Sequence, residues 1–350
     1  SSAVHPKRQC QQAGKLPQLV EVFLGIDRFV FGPDPDRAAV AVEWLEAEVI
    51  GDLVDQSQKR IDLGVVGRLE LLLHGHVDRY RSLFAAIGDE APDVVLLGGD
   101  LLPHPMADLS SLPSEHQDFV RGFLAGELSR LRVQLGEAYP RVLLILGNDD
   151  GRAVEGSVLH VASSGLWTYV HGRRVEVADV SFYGYAYVPP TPFPLKDWER
   201  YDVSRYVDPG CVPPEEGAHS VPVSDDEARY ETISEDLDAL VGDSDLSRSV
   251  MLFHSPPYGG LLDRAALDGK MVDHAPLDVH VGSIAVQRFI EARQPLVTLH
   301  GHVHESARLT GSWRERSGRT HMFSAAHDGP ELALVRFDTE RLDEAERLLL

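Results

Sequence analysis

Residues 94–100 read VVLLGGD, a run of four apolar residues followed by two glycines and an aspartate. The apolar run predicts a buried β-strand over Val94–Leu97, because the buried strands of parallel sheets are hydrophobic throughout. The two glycines allow a sharp turn at the end of the strand, which leaves Asp100 just beyond it. Ligands of open α/β sheets bind at this end of the strands. Asp100 is therefore a candidate site residue, although on its own it is equally well explained as a helix N-cap or turn residue.

The same pattern of an apolar run and a polar end recurs along the chain. Further strands are predicted at Leu69–Leu73, Val142–Leu146, Val250–Phe253 and Leu296–Leu299. Helical spacing of apolar residues predicts helices at residues 37–61, Asp78–Ile87, Gln117–Leu135, Asp226–Val241 and Ile284–Arg293. Short β-rich runs at residues 167–187 and 307–337 predict hairpins. This alternation of strands and helices indicates an α/β fold in which helices cover the sheets.

Polar residues follow all five predicted strands. Besides Asp100 they are His74, the Asn148-Asp149-Asp150 run, His254, and the alternating histidines His300, His302 and His304. Each has a simpler explanation by itself, such as a turn or a hydrogen-bonded core histidine. Their shared position at strand ends favours one common site instead. Imidazole, carboxylate and amide groups without a thiolate suit zinc, manganese or iron.

Composition limits the functions that the chain can have. Its 350 residues are 43% hydrophobic and 25% charged, which predicts a buried core. The net charge of −22 makes nucleic acid an unlikely partner, since such binding needs cationic side chains. No apolar run approaches the roughly 20 residues that cross a bilayer, and no signal peptide is recognised, so no membrane association is expected. Cys10 and Cys211 form no disulfide framework, which favours a reducing, cytoplasmic location.

The order of the polar motifs resembles that of the calcineurin-like metallophosphoesterases. That family shows Asp-x-His, Gly-Asp, Gly-Asn-His-Asp/Glu, a lone His and Gly-His-x-His. Here the matching residues are Leu72-Leu73-His74, Gly99-Asp100, Gly147-Asn148-Asp149-Asp150, His254 and Gly301-His302-Val303-His304. The stretches YVPPTPFPLKDWERYD (187–202) and HSPPYGGLLDRA (254–265) are similar to a bacterial and archaeal branch of the family.

The resemblance implies a four-layer α/β/β/α sandwich of two mostly mixed sheets flanked by helices. It covers the chain from about residue 69 onward. We therefore expect an atypical, partly helical N-terminal extension over residues 1–66 and a metallophosphoesterase domain over residues 67–350. The Pro- and Tyr-rich stretch at about residues 187–217 is expected to form an insert in that domain.

The resemblance also implies a centre of two divalent metal ions (Mn, Fe or Zn). Asp100 would bridge both metals, and one metal would be completed by Asn148, His254 and His302. The other would take His74 and His304, but its usual aspartate falls at Leu72, so this metal is expected to be weak or absent. Three protein ligands and water are nevertheless an accepted arrangement for a catalytic zinc.

Two explanations of Leu72 remain open, because the match is poor up to Leu73 and strong from His74 onward. One is divergence towards a pseudoenzyme, and the other is a reading-frame or gene-model error upstream of His74. A second departure is Asp149, which occupies the place of a histidine that protonates the leaving group in many family members. An aspartate could take that role if its pKa were raised, for instance by the neighbouring charge of Asp150. Asp149 and Asp150 are therefore the candidate catalytic residues.

The resemblance and these residues together predict the hydrolysis of a phosphodiester or phosphomonoester of a small molecule or nucleotide. A metal-activated hydroxide would carry it out, with an activity that the change at Leu72 could impair. Lys196 and Arg200 in the insert are candidates for binding the substrate anion, with plain surface charges as the alternative. His280 and His300 are candidates for orienting metal ligands. A non-catalytic metal- or ligand-binding module of the same fold is the rival interpretation. A nuclease is a third, which the acidic charge disfavours.

Overall fold

The computed structural model describes residues 76–103 and 118–350. The predicted helix at residues 37–61, the predicted strand Leu69–Leu73 and His74 lie outside these ranges. The extension over residues 1–66 and the domain boundary at residue 67 therefore stay predictions.

Helices and strands alternate along most of the described chain. The α-helices are α1 (Val77–Glu90), α2 (Ala125–Leu135), α3 (Glu155–Ala162), α4 (Asp225–Tyr230), α5 (Ile233–Val241), α6 (Ile284–Arg293) and α7 (Ser306–Thr310). The strands are β1 (Val94–Gly98), β2 (Arg141–Ile145), β3 (Thr168–Tyr169), β4 (Arg173–Val177), β5 (Val180–Tyr185), β6 (Ser249–Phe253), β7 (Met271–Val272), β8 (Ala275–Pro276), β9 (Val297–His300), β10 (Arg314–Ser317), β11 (Thr320–Ser324), β12 (Ala333–Arg336) and β13 (Glu346–Leu349).

These strands form two principal sheets. Within the described residues, one sheet contains the parallel strands β1, β2 and β3. The other has the strand order β10-β11-β9-β6-β5-β4, with β5, β6, β9 and β11 parallel and the edge strands β4 and β10 antiparallel. Two hairpins, β7-β8 and β12-β13, complete the described strands. The parallel arrangement brings the carboxyl ends of neighbouring strands to a common edge in each sheet.

One hydrophobic core joins the two sheets. Every residue of β1, β5 and β6 is buried, and residues from both sheets belong to the same apolar cluster. The sheets approach each other closely at Gly184 of β5. A Cβ atom at that position would lie 2.7 Å from Cγ2 of Ile145 on β2 and 2.6 Å from Cγ2 of Val170. Glycine is therefore required where β5 faces the smaller sheet.

Side-chain caps fix the starts of several helices. Ser283 accepts a hydrogen bond from the Val286 N–H at the start of α6, and Thr232 does the same for Glu235 at the start of α5. Such caps satisfy backbone donors that have no partner inside the helix. None of the helices in the described part of the chain has the length and apolar character needed to span a bilayer.

The predicted α/β sandwich with mixed sheets is confirmed, and the differences from the predicted elements are local. The predicted helix Asp226–Val241 is two helices, because Glu231 adopts an extended conformation (φ −71°, ψ 142°) and Thr232 caps the second one. A π-helix, Phe119–Leu124, precedes α2 within the predicted helix Gln117–Leu135. The predicted β-rich region from residue 307 was wrong at its start, which lies in α7.

We expect Gly184→Ala to lower the free energy of unfolding by about 1–3 kcal/mol, because the added methyl group forces the two sheets apart. Gly156→Ala is the control, since a Cβ atom there meets nothing within 4 Å in α3. That change should leave stability unaltered or raise it by up to about 1 kcal/mol. Urea denaturation of both variants measures the difference. Equal stabilities would contradict the close packing of the sheets at Gly184.

Candidate metal centre

The loop after β1 places Asp100 at the edge of the smaller sheet. Gly99 has a φ of 102° and Asp100 a φ of 50°, so both lie in the left-handed region. That region costs a non-glycine residue roughly 1 kcal/mol, and such strain is often found at functional sites. A Cβ atom on Gly99 would lie 2.6 Å from Nδ1 of His254 and 2.9 Å from Cα of Gly147. Glycine thus lets three segments of the chain meet around Asp100.

Asp150 joins the loop after β1 to the loop after β2. Its buried carboxylate accepts backbone N–H groups of Gly147 (2.9 Å), Leu101 (3.1 Å) and Leu102 (2.8 Å). Burial, and next the charge of Asp100, raise the pKa of Asp150 to about 7, although the three N–H groups oppose the shift. Both carboxylate oxygens are occupied within the protein. These contacts give Asp150 a positioning role, in contrast to the catalytic role that the sequence suggested.

The larger sheet contributes two histidines to the same place. His254 follows β6, is fully buried, and donates a hydrogen bond from Nδ1 to the carbonyl oxygen of Gly98 (2.8 Å). Its Nε2 lies 2.9 Å from Oδ1 of Asn148 and 3.1 Å from Oδ2 of Asp100. His302 follows β9, and its Nδ1 is 2.7 Å from the same Asn148 oxygen. The structure therefore brings together four of the predicted site residues from four strand ends.

A positive charge at Nε2 of His254 would stabilise this arrangement of atoms. Because Nδ1 of His254 donates to a carbonyl, its Nε2 in the neutral ring is a lone pair that faces two oxygen acceptors. Either a proton or a cation at Nε2 removes this conflict. Burial is the largest single influence and disfavours the charged ring, but the charge and hydrogen bond of Asp100, the Gly98 carbonyl and the charge of Asp150 together raise the pKa of His254. Burial lowers the pKa of His302 to about 3, which keeps that ring neutral, as a metal ligand must be.

The two remaining predicted ligands are His304 and His74. Burial lowers the pKa of His304, and the charge of Asp100 partly opposes the shift, so the two groups interact electrostatically. His74 lies outside the described residues. Residues 76–103 and 118–350 hold no group of three or more His, Cys, Asp or Glu side chains arranged as a metal site. The side chains that do come together are Asp100, His254 and His302, with the amide of Asn148 as the fourth.

Asp149 lies beside this set and is only half-buried. Its backbone N–H donates to Oδ1 of Asp100 (3.0 Å), and its carboxylate accepts from Nδ2 of Asn148 (2.9 Å). The second contact orients the amide so that the Asn148 oxygen faces the histidines. Of the two predicted catalytic residues, Asp149 is thus the one that is partly exposed to solvent.

The two candidate orienting histidines have different surroundings. His300 is fully buried, and its ring contacts the carbonyl oxygen of Ser255 (3.0 Å) and the hydroxyl of Thr298 (2.7 Å). Burial lowers its pKa to about 4, so the neutral ring holds the segment that follows His254. His280 instead contacts Oδ1 of Asp263 (2.8 Å), within the loop that connects β6 to α6. Only His300 therefore supports a candidate ligand.

Lys196 and Arg200 are occupied by internal ion pairs. The ammonium group of Lys196 is buried and donates to Glu199 (2.5 Å) and to the carbonyl oxygen of Thr191 (2.8 Å). The guanidinium of Arg200 pairs with Asp236 (2.6 Å) and Glu231 (2.8 Å). These contacts correct the prediction that both cations are available to a substrate anion. The two side chains hold the insert in place instead.

Asp197, which sequence reasoning missed, binds the insert to the loop after β2 that carries Asn148. Its buried carboxylate accepts the Arg152 N–H (2.6 Å) and the Ser220 N–H (2.8 Å). Arg152 is four residues beyond Asn148. An aspartate in a polar loop has no periodic pattern or motif that would reveal such a contact.

Comparison with known proteins agrees with this fold. A family model described as calcineurin-like phosphoesterase matches residues 49–306, so the chain belongs to that family. The match begins before residue 67, where the sequence predicted the start of the domain. No curated protein matches the chain.

Several solved structures are similar in part. A crystal structure with 16% identity has a TM-score of 0.48 over 81% of this chain and 98% of its own. TT1561 of Thermus thermophilus has 15% identity and a TM-score of 0.44, covering 83% and 99% of the two chains. Sulfate thiohydrolase SoxB of Thermus thermophilus, in complex with glycerol, has 16% identity and a TM-score of 0.34, covering 74% and 39%.

We expect Asp150→Asn to lower the free energy of unfolding by about 2 kcal/mol, because an amide NH₂ would replace an oxygen that accepts buried N–H groups. Asp149→Asn is the matched control, since this neighbouring carboxylate is only half-buried. Its effect on stability should stay within about 0.5 kcal/mol. Urea denaturation of the two variants without added metal tests this. An Asp150→Asn protein as stable as the control would show that the two loops do not depend on the buried carboxylate.

Proposed function

We propose that this protein hydrolyses a small-molecule phosphoester with the help of divalent metal ions. Membership of the calcineurin-like phosphoesterase family supports metal-dependent phosphoester hydrolysis in general. The observation that carries the proposal for this chain is the meeting of Asp100, Asn148 and His254. Two oxygen acceptors and an imidazole lone pair face one another in a buried place, which a cation would stabilise.

The ligand atoms at the candidate metal centre fit a divalent ion of the Mn, Fe or Zn type. Asp100, Asn148, His254 and His302 supply two oxygens and two imidazole nitrogens, a mixed set that these metals accept. We propose that these four residues hold one ion. His74, His304 and Asp100 would hold a second, weaker ion, because Leu72 provides no carboxylate. The bound metals would activate water and neutralise the charge that develops on the phosphate.

The protein itself supplies orientation and a proton. Asp150 holds the Asp100 and Asn148 loops in register, and the Gly98 carbonyl fixes the ring of His254. We propose Asp149 as the residue that protonates the leaving oxygen, since it contacts Asn148 and is partly exposed to solvent. An aspartate is a poorer proton donor at neutral pH than a histidine. Substrates with acidic leaving groups should therefore be preferred.

The second candidate function is metal or ligand binding without hydrolysis. Leu72 favours it, because the loss of one carboxylate removes both a bond and a charge from one metal. The presence of all four ligands Asp100, Asn148, His254 and His302 is evidence against the non-catalytic function. The two functions differ in a single result, namely whether a protein that holds metal also hydrolyses a phosphodiester.

We expect the purified protein to retain metal after dialysis and to hydrolyse bis(p-nitrophenyl) phosphate. His254→Gln should lose most of the bound metal and at least about 90% of the activity, since removal of a metal ligand weakens the site by about tenfold or more. His160→Gln is the control, because His160 is exposed on α3. Elemental analysis and absorbance assays measure both properties. Retained metal without hydrolysis supports the binding module. Undiminished hydrolysis in the metal-stripped protein refutes the metal-dependent proposal.

We expect Leu72→Asp to strengthen the weaker metal and to raise phosphodiesterase activity. The gain should shrink when manganese is in excess, because mass action then fills the site without the added ligand. Leu73→Asp is the matched control, since adjacent residues of a strand point to opposite faces. Manganese titration and a melting curve are measured for both variants. A folded Leu72→Asp protein with unchanged metal affinity would show that Leu72 does not occupy the ligand position.

A further inference from the structure

Beside the candidate metal centre, each sheet contributes one more strand end. β3 lies next to β2. Just beyond β3, the Val170 N–H donates to the carbonyl oxygen of Leu144 (2.9 Å), and His171 is the next residue. β5 lies next to β6, and the His254 N–H donates to the carbonyl oxygen of Tyr185 (3.1 Å), two residues before Tyr187. His171 and Tyr187 therefore flank the Asn148 and His254 strand ends, one strand further out. Their ring centroids are 5.3 Å apart.

Trp198 of the insert completes this group. Its ring lies 5.1 Å from the ring of His171 and 5.5 Å from that of Tyr187. We call these three residues the donor cluster. The guanidinium carbon of Arg152 lies 5.7 Å from the Trp198 ring, and the backbone of Arg152 is bound by Asp197, the residue before Trp198. The donor cluster is thereby fixed to the loop that carries Asn148.

All three rings carry hydrogen-bond donors that lack an acceptor in the described protein. Trp198 is buried, and its Nε1 has no partner among the described residues. His171 accepts the Ala186 N–H at Nδ1 (3.0 Å), which leaves the proton of the neutral ring on Nε2. Within residues 76–103 and 118–350, no acceptor contacts His171 Nε2 or the Tyr187 hydroxyl. Burial, and next the charges of Arg200 and Arg152, lower the pKa of His171 to about 3, so the ring stays neutral.

Trp198 Nε1 is the fully buried donor of this group, whereas His171 Nε2 and the Tyr187 hydroxyl beside it are not fully buried. One buried donor without an acceptor, with two more next to it, indicates a missing acceptor. Buried polar groups nearly always have a partner, and an exception indicates a ligand, an ion or a water molecule. The surrounding charges disfavour an anion. Arg152 pairs with Glu227 (2.8 Å), and Arg200 pairs with Asp236 and Glu231, so carboxylates outnumber guanidiniums. An uncharged group with oxygen acceptors fits both the donors and the charge.

We propose that the donor cluster binds the uncharged, oxygen-bearing organic group of the substrate, such as the carbonyl of a nucleobase or the hydroxyls of a sugar. Its position beside His254 would place that group next to the phosphoester. The identity of this group as part of a substrate rests on the proposed hydrolysis, whereas its binding does not. Aromatic rings suit both groups, because bases and sugar faces pack against them.

The test is calorimetric titration of the full-length protein with uridine and, separately, with methyl β-glucopyranoside. Tyr187→Phe removes one donor and keeps the ring that packs against Arg200. We expect this change to weaken binding about three- to tenfold, the loss of one neutral hydrogen bond. Tyr183→Phe is the matched control. Tyr183 is also a buried tyrosine without a hydroxyl partner, but it lies within β5 rather than beyond its end.

Binding of either probe that weakens in Tyr187→Phe and not in Tyr183→Phe supports the proposal. Uridine then indicates a nucleoside ester and the glucoside a sugar ester. If neither probe binds, or if all three proteins bind equally well, the proposal is overturned and water is left as the acceptor. A protein that binds a probe in this way but hydrolyses no phosphoester would refute the proposed function alone.

Discussion

The hydrogen bond from His254 Nδ1 to the carbonyl oxygen of Gly98 connects the two sheets at the edge where the candidate metal centre forms. It fixes the tautomer of the imidazole and turns Nε2 towards Asn148 and Asp100. The bond can form because Gly99 and Gly147 have no side chains, since a Cβ atom on either residue would collide with the His254 ring. Close approach of the sheets and orientation of the ring therefore have one cause.

Two buried carboxylates connect the loops around His254 to the rest of the protein. Asp150 ties the loops after β1 and β2 together through backbone N–H groups, and Asp197 fastens the insert to Arg152 beyond the second loop. A third carboxylate, of the half-buried Asp202, accepts the Ile284 and Ala285 N–H groups at the start of α6 (2.7 and 3.1 Å). The insert is thus bound to the site through Asp197 and to a helix through Asp202. Charged acceptors of backbone N–H groups are among the stronger hydrogen bonds in proteins.

The candidate centre is costly for the fold. Asp100 and His302 both have left-handed φ angles, and acceptors face one another around Nε2 of His254. A fold selected only for stability would avoid both features, because each raises the energy of the native state. Backbone strain and closely facing polar atoms in the same few residues are typical of a site that binds a ligand.

The sequence by itself determined an α/β fold and the grouping of Asp100, Asn148, His254 and His302, because apolar runs locate strands and parallel strands align their carboxyl ends. The sandwich of two sheets was implied by the resemblance to the family. For the strands and helices that it predicted individually within the described residues, the sequence located most boundaries to within a few residues. It could not reveal the contacts between distant segments. Lys196 and Arg200 were expected to face a substrate, and only the fold showed that Glu199 and Asp236 occupy them. The roles of Asp150 and Asp197 and the meeting of His171, Tyr187 and Trp198 likewise depend on which segments pack together. Such long-range packing leaves no periodic pattern in the chain.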